Sequence, residues 1–368
     1  MAEWILLNPG PANTTRSVRE ALVTPDLCHR EPEFFRVMRE CRERLVRMAG
    51  AGDEFTAVLF TGSGTAAVEA AICSAVPEGR SVLVVNNGVY GDRMVRIARA
   101  HGIPVEVLAY DAVTPVDPVG VGVALRAHPE VSHVALVHHE TTTGLLNPLP
   151  EVARVAAELG RRVVVDAVSS LFGEPLQIAQ DGIDLVAASP NKCLQAIPGI
   201  SFVLARRSAI EALKGRPPRS VYLDLYTHWD AQARDDTPFT PAVQVLHAMR
   251  QALVELEAEG VAAPRALRRE RPRPAARDGG ARFEILVPEG ARASALTTFQ
   301  LPAGLTYDVL HDAMKRRRYI IYAGQGDIRN YAFRVANMGT LTPEDMEGVV
   351  AAFAAALEEL GIPIPARR

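Results

Sequence analysis

Cysteine and tryptophan are scarce in this 368-residue chain, with four of the first and two of the second. Cys28, Cys41, Cys73 and Cys193 lie far apart and form no CxxC pair, which excludes a cysteine metal knuckle or a dithiol redox motif. A chain this long buries a sufficient core without disulfides, so the thiols are expected to be reduced. No apolar run reaches the roughly 20 residues of a membrane span. The opening Met1-Ala2-Glu3-Trp4-Ile5-Leu6-Leu7 also lacks the basic stretch and apolar segment of an export signal. The expectation is a cytoplasmic protein with no membrane partner. Charge of one sign is not in excess either: 40 basic residues face 43 acidic ones, a formal net charge of -3. That argues against a general nucleic-acid binder and leaves any anionic ligand to a few placed groups. No internal repeat is present.

Composition is otherwise that of a globular protein, 48% apolar and 23% charged. The length suits more than one core. The expected division is an N-terminal segment, 1–20, contributing near the site, a large domain over 21–260 and a small C-terminal domain over 261–368. Short apolar strands alternate with helices: Thr56–Phe60, Ser81–Val85, Val105–Leu108, Val131–His138, Val163–Val165, Leu185–Ala187 and Ser201–Ala205. Such an order predicts an α/β fold whose mostly parallel central sheet is covered by helices on both faces. A helix over Val243–Gly260 leads out. Strands near Ala295–Phe299, Tyr319–Tyr322 and Ala332–Val335, with helices over Tyr307–Arg316 and Pro343–Leu360, predict a smaller α/β unit. Ala262–Gly280, rich in proline and arginine, predicts an irregular connection.

Ligand sites in such sheets gather at the carboxyl ends of strands. Asp166 ends one apolar strand and Lys192 follows the next, after Ser189-Pro190-Asn191. An acid for a ring nitrogen and an amine for an aldehyde carbon are what pyridoxal 5'-phosphate requires. Ser63, Gly64 and Thr65 at a strand-to-helix turn offer backbone N–H groups and hydroxyls to a phosphate. No Gly-Lys-Ser/Thr ending or dinucleotide glycine pattern follows, so the short phosphate tail of pyridoxal phosphate fits better than a nucleotide. Tyr90 is placed to stack on the ring and Thr142 to bond its oxygen. Ser189 and Thr240 are further phosphate candidates, and Arg334 is a clamp for a substrate anion. Each has a plainer reading as a cap, a core residue or a surface charge. His138-His139-Glu140 does not make a metal site, because adjacent histidines on a strand point apart; no metal is expected. Cys193 lacks a neighbouring base and is not read as a nucleophile.

The ordered motifs Leu6-Leu7-Asn8-Pro9-Gly10-Pro11, Gly62-Ser63-Gly64-Thr65, Asn87-Gly88-Val89-Tyr90, Glu140-Thr141-Thr142-Thr143-Gly144, Asp166-Ala167-Val168-Ser169-Ser170, Asn191-Lys192 and Phe333-Arg334-Val335 span Ile5 to Leu360. In this order the chain resembles fold-type I pyridoxal-phosphate enzymes, closely the 2-aminoethylphosphonate transaminases. The resemblance implies transamination between 2-aminoethylphosphonate and pyruvate, giving phosphonoacetaldehyde and alanine. It implies a homodimer with a shared site, small-molecule amino donor and keto or aldehyde acceptor as partners, and no nucleic acid. Lys192, Asp166 and Tyr90 would be the catalytic residues. Gly64, Thr65, Ser189 and Thr240 would hold phosphate, Thr240 from across the dimer. Arg334, Arg30 and Asn8 would face substrate. The stretch Val23–Glu31 is similar to the phosphonate-biosynthetic version. Two departures stand out: the 262–280 segment, and Pro190 before the lysine. An alanine– or serine–glyoxylate aminotransferase and a pyridoxal-phosphate lyase would use nearly the same residues; a cofactor-retaining regulatory module is the non-enzymatic alternative.

Overall fold

The computed structural model describes residues 4–260 and 283–362. In chain order the elements up to the first long loop are β1 (Ile5–Leu6), α1 (Arg16–Glu20), α2 (Pro32–Met48), β2 (Phe55–Thr61), α3 (Gly64–Ala75), β3 (Ser81–Asn86), α4 (Val89–Ala100), β4 (Val105–Ala109), α5 (Pro118–Ala127), β5 (Val131–Val137), β6 (His139–Glu140), β7 (Leu145–Leu146), α6 (Leu149–Glu158) and β8 (Arg162–Asp166). They continue with β9 (Leu185–Ala188), β10 (Ile200–Arg206), α7 (Arg207–Glu211), α8 (Leu225–Ala233), α9 (Val243–Glu259), β11 (Leu296–Gln300), α10 (Tyr307–Arg316), β12 (Tyr319–Ile320), β13 (Tyr322–Ala323), β14 (Ala332–Ala336) and α11 (Pro343–Glu359). The expected connection over 262–280 lies outside the described residues.

Seven strands form the main sheet in the order β2-β10-β9-β8-β5-β3-β4. Only β10 runs against its neighbours, β2 and β9. The other strands therefore share one direction, and their carboxyl ends form one rim. Period-two alternation divides the core between the faces. Ala57 and Leu59 of β2 and Val163 and Val165 of β8 pack on the face covered by α2, α6 and α9. Val58, Phe60 and Val164 pack on the opposite face, under α3 and α4. The sequence of α2 places Phe34, Met38, Cys41 and Leu45 on one helical stripe, and all four are buried. Helix α3 is built differently: its alanines let it lie close to the sheet, buried along most of its length. Its position fixes where its amino end points.

The outer edge of β2 would present unpaired backbone groups. Side chains close it instead. Gln232 of α8 takes both backbone groups of Leu59, and Arg42 of α2 donates to Ala57 O.

The C-terminal part has its own sheet, β11-β14-β13, antiparallel throughout. Phe283, Phe299, Phe333 and Phe353 form the centre of its core, with Met314 and Val349. Leu7 from the amino end joins this core, because β1 pairs in parallel with β12. The single strand expected over 319–322 is in fact two. Tyr319–Ile320 pairs with β1 and Tyr322–Ala323 with β14, while Ile321 between them is buried. Buried side-chain contacts tie this unit to loops of the large part. The buried Glu174 carboxylate accepts from Ser294 N at 2.7 Å, Ala295 N at 3.0 Å and the Ser294 hydroxyl. Arg334 Nη1 donates to Thr141 O at 2.7 Å.

Candidate active site

The rim opens into a cavity of about 510 Å³ lined by the turn Thr61–Thr65, Tyr90, Arg93, His139, Asp166, Val168, Ser169, Ser189, Asn191 and Lys192. Each comes from the end of a strand, the loop that follows it, or the first two turns of the next helix. Asp166 is the last residue of β8 and is buried; its Oδ1 accepts from Val168 N at 2.9 Å. Burial raises its pKa, while the Val168 N–H, Lys192 and Arg93 act the other way. Lys192 is buried as well, and its Nζ donates to Ser169 Oγ at 2.7 Å. Burial lowers the Lys192 pKa from 10.5 to about 8, against the attraction of Asp166. An amine held this close to neutrality is a better nucleophile and proton acceptor than a surface lysine.

The segment that follows β1 packs against the lysine and its neighbour Asn191. Ala12 N donates to Asn191 O at 3.1 Å. Gly10 sits at φ 104°, and a Cβ there would stand 3.0 Å from Lys192 Cγ. Both the left-handed backbone and the close approach call for glycine.

Tyr90 lies in the first turn of α4, with the Arg93 guanidinium 4.7 Å and the Lys192 ammonium 5.6 Å from its ring centroid. Its backbone N–H donates to the buried Glu140 carboxylate. At the start of α3, Ser63 is the N-cap residue without a capping bond from its own side chain. Arg93 Nη1 donates to Thr65 Oγ1 at 2.9 Å.

Does this cavity fit pyridoxal phosphate? Two observations say that it does. A Cβ on Gly64 would stand 2.8 Å from Val168 and 3.0 Å from Ser189 Oγ, so the helix start is kept bare beside a hydroxyl and below free N–H groups, as a phosphate needs. His139 Nδ1 is 3.1 Å from Ser169 O, which can only accept, so Nδ1 carries the proton. Burial holds that ring neutral, its pKa lowered to about 3. Nε2 is then an acceptor without a partner among the described residues, and the neutral ring stands in the cavity wall, where it offers an uncharged aromatic surface to a flat cofactor ring.

Of the residues expected from sequence, Ser63, Gly64, Thr65, Tyr90, Asp166, Ser189 and Lys192 meet around this cavity. Others lie outside its lining. The Thr142 hydroxyl donates to Glu140 Oε1. Asn8 donates to Pro11 O at 2.9 Å. Arg334 is buried at the junction of the two sheets, with Nε on Ala323 O at 2.8 Å and its guanidinium over Tyr322. Arg30 pairs with Asp236 and donates to Thr237 O at 2.9 Å. Thr240 is exposed on the loop that follows. Sequence reasoning missed Arg93, His139 and Ser169. Arg93 carried a signal, lying three residues after Tyr90 on one helix face; for His139, burial decided its role, and burial was not visible.

The chain has relatives along nearly its whole length. The class-V aminotransferase family model matches residues 16–274. The 2-aminoethylphosphonate–pyruvate transaminase of Syntrophobacter fumaroxidans is 39% identical over 364 residues, 97% of each chain. That of Burkholderia mallei is 39% identical over 363 residues, covering 97% of this chain and 98% of the relative. Among solved structures, a subgroup IV aspartate aminotransferase of Thermus thermophilus superposes with TM-score 0.87 at 31% identity, covering 97% of this chain and 99% of that one. Pyridoxamine–pyruvate aminotransferase of Mesorhizobium loti gives TM-score 0.91 at 25% identity, over 99% and 94%. The chain therefore belongs to the 2-aminoethylphosphonate–pyruvate transaminase family, and it is a fold-type I aminotransferase dependent on pyridoxal phosphate.

Proposed function

We propose that the protein transfers the amino group of 2-aminoethylphosphonate to pyruvate, giving phosphonoacetaldehyde and alanine. The observation that carries this reading is the convergence of Lys192, Asp166, Tyr90 and the α3 amino end on one cavity. It occurs in a chain that aligns with transaminases of that name over nearly its whole length.

When bound, pyridoxal phosphate supplies an aldehyde carbon and an electron-withdrawing ring. Lys192 would hold that carbon, and its amine, when free of the cofactor, would be placed to carry a proton from the amine-bearing carbon. Asp166 would face the ring nitrogen and favour its protonated form. Tyr90 would lie against the ring. Ser63, Gly64, Thr65 and Ser189 would hold the phosphate. Thr142 would hold the ring oxygen, which requires its hydroxyl to leave Glu140. Arg334 would meet the substrate anion, supported by its buried guanidinium beside the Thr141 carbonyl, with Arg30 and Asn8 as further substrate-facing groups.

Thr240 is exposed and outside the lining of its own cavity, which supports its serving the site of a second copy in a homodimer. On the same reading the chain divides near residue 260, the amino-terminal segment bridging the two units through β1. Among the described residues no helix is long and apolar enough to cross a membrane.

Purified protein incubated with 2-aminoethylphosphonate and pyruvate is expected to yield alanine and phosphonoacetaldehyde in equal amounts. Absence of that turnover alongside efficient transamination of glyoxylate by alanine or serine rejects the substrate assignment. Ammonia release without consumption of the keto acid rejects transamination in favour of a lyase.

A further inference from the structure

Arg93 is a half-buried guanidinium on the wall of the cofactor cavity. Among the described residues it forms no ion pair with a carboxylate; its contacts are the Thr65 hydroxyl at 2.9 Å and the face of Tyr90. Its direct contacts are neutral, the Asp166 carboxylate acting on it only through space, so its remaining N–H donors are available to an anion in the cavity. Thr65 stands in the first turn of α3, where backbone N–H groups point into the same cavity.

The direction of the Arg93–Thr65 bond follows from chemistry. Arginine has five N–H donors and no acceptor, so Thr65 Oγ1 must accept. That fixes the polarity of the hydroxyl: one lone pair is occupied, and the O–H is left to donate elsewhere. The open direction is the cavity. A threonine without such a partner is equally able to present a lone pair, which repels phosphate oxygens.

We propose that Arg93 is a positioning residue for the cofactor phosphate. It sets the Thr65 hydroxyl as a donor toward the phosphate and supplies positive charge beside the α3 amino end. The contact with Tyr90 links the same group to the residue against the ring, so phosphate and ring are held by one side chain. This inference rests on the cofactor assignment and is independent of which amine is the substrate.

The test measures cofactor binding by the full-length protein without turnover, so a wrong substrate assignment leaves it unaffected. Dissociation constants for pyridoxal 5'-phosphate and for pyridoxal, which lacks the phosphate, are compared in wild type, Arg93→Met, Arg93→Gln, Arg93→Lys, Thr65→Val and the Arg93→Met/Thr65→Val double variant. Arg93→Met is expected to weaken pyridoxal phosphate by roughly 10- to 100-fold, as for loss of a charge-assisted contact, with pyridoxal changed by less than about 3-fold. Arg93→Lys retains most of the preference, because an ammonium also only donates; Arg93→Gln does not, because its carbonyl can accept from Thr65 and reverse the bond. The double variant loses less than the product of the two single losses. Equal weakening of pyridoxal and pyridoxal phosphate would show that Arg93 acts through Tyr90 alone. Multiplicative losses would show that Arg93 and Thr65 act independently. Either result overturns the proposal, and circular dichroism of each variant identifies any that misfold, for which Arg93→Lys and Thr65→Val carry the comparison.

Discussion

Lys192→Met tests the site through stability as well as through activity. The lysine is buried against Gly10, Tyr90 and Ser169, and burial lowers its pKa from 10.5 to about 8. Folding therefore carries a penalty wherever the buried amine must be protonated. Below about pH 8 the penalty is complete and, from the depression of the pKa, amounts to about 3 kcal/mol. Between about 8 and 10.5 the folded chain has released the proton and the unfolded chain still holds it, so stability rises with pH. Above both values the penalty is gone. Methionine keeps an unbranched stem of similar length and carries no charge. Without cofactor, Lys192→Met is thus expected to be more stable than wild type near pH 7, by up to about 3 kcal/mol. The advantage shrinks as pH rises through that window. Urea unfolding of both proteins across this pH range, followed by the fluorescence of Trp4 and Trp229, gives the difference with the titrating groups remote from Lys192 cancelled. A difference that stays flat with pH, or a variant less stable than wild type at pH 7, refutes the assignment of a desolvated amine. The same variant should lose nearly all turnover and the absorbance of lysine-bound cofactor; retained turnover would remove Lys192 from the chemistry.

Two other substitutions address how the two sheets are held around the site. Arg334→Ala should raise KM for the anionic amine far more than it alters cofactor absorbance, and Arg334→Lys should not restore it, because an ammonium cannot span Ala323 O and Thr141 O as the guanidinium does. Unchanged KM would take Arg334 out of substrate binding. Glu174→Ala strips the acceptor from the Ser294 and Ala295 N–H groups and from the Ser294 hydroxyl; a loss on the order of 3 kcal/mol is expected in chemical unfolding, and a loss below about 0.5 kcal/mol would mean that this carboxylate does not carry the junction.

Much of the site was legible because its parts are local. An apolar run ended by an acid, as in Arg162–Asp166, announces both a buried strand and a group delivered at its end. The helix over Tyr307–Arg316 appeared in the structure with the bounds its periodicity implied. The break in 319–323 did not, since a run of five residues carries no mark of the two partners that claim its halves. Likewise Arg30 looked like a group free to meet an anion; within the chain it pairs with Asp236, a residue far away in sequence.

What the sequence determined by itself is the order of strands and helices, the delivery of Asp166 and Lys192 beyond the ends of two successive strands, and the family, because each is written in short stretches whose chemistry does not depend on distant partners. Tertiary structure alone decided the reversed direction of β10, the capture of β1 and Leu7 by the C-terminal core, the neutral His139 acceptor and the placement of Arg93 against Thr65. These depend on which segments meet across the fold. Burial and the direction of a hydrogen bond follow only after the chain has packed.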